Sequence, residues 1–349
     1  MIADRYKLVG ESFVGGMAAV WQCHDIVLER KVAIKVMPDS AEKRRIRDEL
    51  GALLKMRSNH VVQVYDILNL GKDLAIVQEF IEGKDLFDVS LAPKDERQYM
   101  KLLWQVATGI ADIHEVEVIH RDIKPNNMKV DPEGVLKIFD FGLARDVGPS
   151  AVTLGFVGTP GFAAPELYSH EVTFTAAVDT YAFGATALFL GLRDLPRDLK
   201  CYPPVLTSAD YFSALPFKLG SEVITILNAC LEKVPSNRPA MRDVSNLLAK
   251  HLLHNRHRAL IVFDGNASYL DASRTSVVLR LASIGEVKIN YDGFNFIVDS
   301  VSGEVFINNS PVTAGDILPG ACVVTLGSPA RKAARRYITF DLSHPEIVL

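Results

Sequence analysis

The sequence predicts an α+β protein: a small, mainly β region, a larger, mainly helical region, and a smaller all-β sandwich domain at the C-terminus. Three observations carry this expectation. Short β-branched and aromatic runs bounded by Gly, Asp and Asn fill the chain up to about residue 80. Apolar residues then recur at spacings of three and four as far as residue 253. Beyond residue 258 short strands return at regular spacing, separated by turn residues.

The individual elements follow in order. Strands are expected at Tyr6–Val9, Ala19–His24, Lys31–Met37, Val61–Ile67 and Leu74–Phe80, with one helix, Ala41–Met56, interrupting them. That helix places Ile46, Leu50, Leu53 and Leu54 at helical spacing. Pro93–His114 reads as a long amphipathic helix through Tyr99, Leu102, Leu103, Val106, Ile110 and Ile113. Further helices are expected at Val178–Leu192, Ser221–Glu232 and Met241–Leu253. The polar, His/Arg-rich stretch His251–Arg258 marks a boundary, placed at 252–258. Seven strands follow: Leu260–Phe263, Ser276–Leu281, Glu286–Tyr291, Phe294–Val298, Glu304–Ile307, Cys322–Leu326 and Tyr337–Phe340.

Composition bounds the function. The 349 residues suffice for two domains, and 48% hydrophobic with 23% charged residues excludes wholesale disorder. A net charge of −4 argues against a nucleic-acid binder working by bulk electrostatics. Cys23, Cys201, Cys230 and Cys322 lie far apart with no metal-ligand spacing, which predicts reduced, packed thiols in a cytoplasmic protein. No secretory signal is visible at Met1–Tyr6. The apolar run Tyr181–Leu192 falls short of the roughly 20 residues of a membrane span and reads as a buried helix.

The chemistry is concentrated in a few short strings. His120-Arg121-Asp122-Ile123-Lys124-Pro125-Asn126-Asn127 fits H-R-D-x-K-x-x-N, Asp140-Phe141-Gly142 follows, and then Ala164-Pro165-Glu166. Upstream, Val32-Ala33-Ile34-Lys35 lies on an expected strand. In order and spacing these strings resemble the protein-kinase signature set, of the eukaryotic-like Ser/Thr type that bacteria carry. The resemblance covers roughly residues 6–250 and implies a two-lobed kinase fold over residues 1–251, with a small lobe of about 1–81 and a large lobe of about 82–251. It also implies transfer of the ATP γ-phosphate to protein Ser/Thr hydroxyls, autophosphorylation included, with ATP and magnesium (manganese as the alternative) as cofactors.

What the resemblance implies for single residues is specific. Lys35 holds the α- and β-phosphates and pairs with Glu49; Asp140 and Asn127 hold the metal. Asp122 orients the incoming hydroxyl and accepts its proton, and Lys124 neutralises the transferring phosphate. Leu53, Val64, His120 and Phe141 match a stacked apolar spine, for which plain core packing is an equally sound reading. Asp179 resembles the aspartate that ties down the catalytic loop, and Arg238 the arginine that pairs with Glu166. Adenine sits between Val20 and Ala33, read by the backbone of Glu79 and Ile81, with Gln78 as gatekeeper. The glycine loop departs from pattern: Phe13, Gly15 and Ala18 stand at the three expected glycines, with Gly16 beside them, so fewer backbone N–H groups approach phosphate unhindered. Phe13 is a candidate aromatic lid. Arg121 implies an anchor for a phosphorylated activation loop, with Ser150 and Thr153 as acceptors and Thr159 in the substrate platform.

The C-terminal stretch, 259–349, is similar to a forkhead-associated domain through Ser273-Arg274, Phe296–Ser300, Phe306–Asn309 and Gly315–Leu318. Ser273 and Asn308 match that family's phosphothreonine site. The phosphate-gripping Gly-Arg pair, however, appears as Gly265-Asn266, and the expected histidine is Ser276. The expectation is therefore a degenerate module for docking, on its own kinase region or on a protein partner. The cluster Arg331, Lys332, Arg335 and Arg336 reads most simply as a solvated loop. A pseudokinase scaffold and a phosphopeptide-binding adaptor stay open as alternatives; protein substrates are expected as partners, nucleic acid and membrane are not.

Overall fold

The computed structural model describes residues 1–14, 19–37, 51–141, 160–168, 175–206 and 210–343, and of residues 11–14 and 19 the backbone alone. The chain divides into two compact units, Met1–Leu248 and Ala249–Leu349.

The first unit opens with five antiparallel strands, β1 (Tyr6–Val14), β2 (Ala19–Asp25), β3 (Arg30–Met37), β4 (Val64–Leu70) and β5 (Asp73–Glu79), in the order β1-β2-β3-β5-β4. Alternation along β3 sends Val32 and Ile34 into a core with Tyr6, Cys23, Ala75 and Val77, and turns Ala33 and Lys35 to the other face. The β2–β3 turn is tied by Asp25, whose fully buried carboxylate accepts two hydrogen bonds from Arg5 (2.9 and 2.7 Å) and one from the Val27 amide (3.1 Å).

The strand expected at Val61–Ile67 begins only at Val64, because a different partner takes its first residues. Val61 bridges Ile138 in parallel, and the Val62 amide donates to the Ile138 carbonyl at 2.8 Å. Residues 51–55 are helical and Met56 is not, and positions 41–50 of the expected Ala41–Met56 helix lie outside the described residues.

The Glu96–Glu115 helix starts three residues later than Pro93, where the Asp95 side chain caps the Gln98 amide at 2.8 Å. Gly109 lies on the helix where the chain passes closest: a Cβ there would stand 2.7 Å from the His60 carbonyl oxygen. The Ala177–Leu192 helix is buried along nearly its whole length, as its unbroken apolar run requires. Helix Ser221–Cys230 lies in this unit, and helix Met241–Leu252 begins in it. No helix among the described residues is long and apolar enough to cross a membrane.

A three-stranded sheet of β6 (Lys84–Asp85), β7 (Met128–Val130) and β8 (Leu136–Ile138) was not anticipated. Two or three residues are too few for a period of two to register in a sequence.

The second unit is strand-rich. Strands β9 (Ala259–Phe263), β10 (Asn266–Leu270), β14 (Val305–Ile307), β15 (Ser310–Pro311), β16 (Cys322–Leu326) and β17 (Arg336–Leu342) form one sheet, in the order β10-β9-β17-β16-β14-β15. Strands β11 (Ser276–Leu281), β12 (Gly285–Tyr291) and β13 (Phe296–Gly303) form another. Both sheets feed one apolar cluster, with Ile261, Val324, Ile338 and Phe340 from the first and Val287, Ile289, Phe296 and Val298 from the second. Strand β10 is an addition to the seven expected strands. Its polar sequence hides it, but Asp264 and Gly265, at φ +47° and +77°, make the tight left-handed turn that folds it back on β9. All four cysteines are free; Cys23, Cys230 and Cys322 are buried and Cys201 is exposed.

Candidate active site

The segment between the Glu96–Glu115 helix and β7 carries Asp122, Lys124 and Asn127. A single buried carboxylate shapes its start. Asp179, on the Ala177–Leu192 helix, accepts the His120 amide at 2.7 Å and the Arg121 amide at 2.8 Å, one on each oxygen. His114 adds a third contact at 3.0 Å. Burial pushes the Asp179 carboxyl up, but His114 and the His120 amide outweigh it and leave it below its ordinary value. Arg121 takes a left-handed backbone, φ +69°, which turns the chain between those two amides and Asp122.

His120 is itself fully buried. Its Nδ1 accepts the Asp122 amide at 3.3 Å and its Nε2 donates to the Phe139 carbonyl at 3.1 Å, a pairing that needs the neutral ring. Burial depresses its pKa accordingly. The His120 ring lies 4.8 Å from that of Phe141, and Leu53, Val64 and Phe141 are buried like it.

Asp122 is 9% exposed and held from two sides. The Asn127 side-chain amide donates to its carbonyl at 2.8 Å and to its carboxylate at 2.9 Å. The Lys124 ammonium stands 2.9 Å from the same carboxylate oxygen. Across the cleft, the Lys35 ammonium on β3 pairs with the Asp140 carboxylate. Asp140 is at φ +66°, the second left-handed residue of the site. The geometry thus assembles two carboxylates, two ammonium groups and one carboxamide from β3, the 120–127 segment and the end of β8.

This donor set fits a small divalent cation. Asn127 spends its amide N–H on Asp122, which leaves a carbonyl oxygen, and Asp140 offers a carboxylate. Both are hard oxygen donors of the kind a magnesium ion takes alongside phosphate oxygens.

Ala33 and Val20 lie on neighbouring strands, and Gln78 stands opposite Ala33 in the β3–β5 register. Glu79 ends β5, and Ile81 follows it, 9% exposed. Phe13 is paired with Val20 through the backbone. Gly15, Gly16, Glu49, Ser150, Thr153 and Thr159 lie outside the described residues. Glu166 and Arg238 meet in a two-pronged pair at 2.6 and 2.9 Å, and all five guanidinium N–H groups are used, the others on the carbonyls of Ala177, Glu232 and Lys233.

Sequence reasoning missed two contributors. His114, which steadies Asp179, is one histidine in the last turn of a helix, with nothing nearby in sequence to single it out. Lys137 on β8 holds the Glu79 carboxylate at 3.1 Å.

In the second unit, the hydrogen bonds of Ser273 and Asn308 stay within their own turns and the adjacent strand. The Ser273 hydroxyl donates to Asp271 at 2.6 Å, and Arg274 closes that turn through its amide. Asn308, left-handed at φ +49°, accepts the Val323 amide on its side-chain oxygen at 3.0 Å. Among the described residues, the exposed Asn266 amide reaches only the Asp264 carbonyl, at 3.4 Å. Arg331 forms a two-pronged pair with Glu304.

A family model described as a protein kinase domain matches residues 5–249. The serine/threonine-protein kinase PknA of Corynebacterium glutamicum is 31% identical over 256 residues, 68% of this chain and 54% of that protein. The serine/threonine-protein kinase drp72 of Corynebacterium efficiens is 31% identical over 255 residues, 68% of this chain and 49% of its own length. Human cyclin-dependent kinase-like 2 is 32% identical over 204 residues, 56% of this chain and 41% of that protein. The chain spans about half the length of the curated relatives it matches. With its signature residues gathered around one cleft and a family model covering well over half of its length, the chain belongs to the protein kinase domain family.

Proposed function

We propose that this chain is a protein serine/threonine kinase that moves the γ-phosphoryl group of ATP onto Ser/Thr hydroxyls. The observation that carries the reading is the pair of charged groupings, Asp122 with Lys124 and Asn127, and Lys35 with Asp140. Phosphoryl transfer asks a protein chiefly to position groups and to absorb charge. Lys35 draws in the α- and β-phosphates. Asp122, an acceptor with its carboxylate fixed by Asn127, orients the substrate hydroxyl and takes its proton, and Lys124 offsets charge on the group in transit. Asn127 and Asp140 would hold magnesium, which would supply positive charge to offset that of the phosphates. Lys124 and the names of the relatives support Ser/Thr over Tyr.

Several roles join this reading as proposals. Glu49 would be the anionic partner of Lys35 with Asp140 given to the metal. Phe13, Gly15 and Gly16 cover the phosphates; Val20, Ala33, Gln78, Glu79 and Ile81 frame the base. Arg121 receives a phosphate carried by Thr153 or Ser150, and Thr159 faces the substrate. The second unit, read as a forkhead-associated-like sandwich, serves docking.

Labelled ATP with magnesium tests the core of the proposal. Label on the chain itself and on a basic acceptor protein is expected, with phosphoserine and phosphothreonine as products. No label on either, with the protein folded, sinks the reading in favour of a scaffold. Alanine at both Ser150 and Thr153 is expected to lower turnover while leaving the melting temperature unchanged; full activity without phosphate on the loop would show an active state that needs none.

A further inference from the structure

The chain segment 79–81 borders a charge for which the kinase motifs have no role. Lys129 stands two residues after Asn127, on β7, and is half-buried. Alternation along the strand sends Met128 into the core and Lys129 to the opposite face. Its ammonium reaches the main-chain carbonyl of Ile81 at 3.5 Å and lies 5.7 Å from the centre of the Phe139 ring, directly before Asp140. One side of Lys129 therefore borders the backbone proposed to read the base, and the other borders the approach to the proposed metal residue.

Its neighbours in register are otherwise engaged. Lys137, opposite on β8, is held by Glu79. Asp85, opposite on β6, accepts the Phe87 amide at 2.9 Å. Among the described residues no carboxylate pairs with the Lys129 ammonium, and its one hydrogen bond, at 3.5 Å, is at the outer limit for such a contact.

We propose that Lys129 is a specificity-determining residue of the base pocket, a cation beside the Ile81 backbone, and that it weakens adenine binding and moves the preference toward guanine. The inference rests on the kinase reading above. Covering a half-buried ammonium with a base strips part of its hydration, a cost that a neutral side chain does not carry. Attraction between a cation and an aromatic face offsets that cost, and does so more for the electron-richer purine, guanine. The aliphatic stem of lysine supplies the same apolar contact as methionine, so the difference between the two is the charge.

Equilibrium binding of ATP and of GTP to the full chain, with magnesium, tests this against Lys129→Met and Lys129→Gln, two neutral variants that differ in their capacity to bond the Ile81 carbonyl. Both are expected to tighten ATP by about three- to tenfold and GTP by less, so that the ratio of the two affinities widens. Lys129→Arg is expected to keep the original ratio. An unchanged ratio in a folded neutral variant, or weaker ATP binding, overturns the role of Lys129 and leaves the kinase reading standing. Failure of both the original chain and the variants to bind either nucleotide overturns the kinase reading itself, and this inference with it.

Discussion

Asp122 owes its orientation to two donors of different kinds, a neutral amide on Asn127 and an ammonium on Lys124. Asp122→Asn keeps the shape and removes the proton acceptor, so single-turnover phosphorylation is expected to slow by about 10²–10⁴ while nucleotide affinity holds. Full turnover in that variant would reassign the role. Arg238 presents the opposite case, a guanidinium with no exposed surface whose charge is met by Glu166. Glu166→Ala strands that charge among carbonyls, and unfolding in urea is expected to show a loss of about 3–5 kcal/mol. An unchanged midpoint would mean that the carbonyls of Ala177, Glu232 and Lys233 suffice alone. Both residues were legible in the sequence because each sits in a string of fixed spacing. His114 was not, since its importance comes from Asp179, which only the fold brings to it.

At the scale of elements, the sequence told long periodic segments from turns well and short ones badly. The β3 strand and the Glu96–Glu115 helix were evident from their periods, whereas β6, β7 and β8 are too short to show one, and β10 is made by its turn. Asp25, at the end of β2, shows a further limit: a carboxylate before a turn looks solvated, yet this one is fully buried. Hydrogen bonds from Arg5 hold its pKa at about 2, against 3.8 ordinarily. A depressed carboxyl contributes stability that is complete above the unfolded value and vanishes as pH falls through the folded one. The small β region is therefore expected to weaken between pH 3.8 and about 2, read from the fluorescence of Trp21 on β2. Asp25→Asn should flatten that dependence at the expense of stability at neutral pH; a slope as steep as the original would point to other carboxylates.

For the molecule as a whole, the two units differ in how far their residues are free to act. In the first, charged groups converge on a cleft. In the second, Ser273 and Asn308 are committed to Asp271 and Val323, and the position of the expected arginine fork holds the neutral Asn266. Calorimetry of the full chain with phosphothreonine peptides is accordingly expected to show no phosphate-dependent heat at micromolar concentration; low-micromolar binding abolished by Ser273→Ala would overturn that expectation. The catalytic segment has a complementary property that follows from Asp179. The amide hydrogens of His120 and Arg121 end on a buried carboxylate, so both are held back from water while that segment stays on the Ala177–Leu192 helix. In deuterium oxide these two positions are expected to exchange slowly, the fully buried His120 more slowly than the half-buried Arg121.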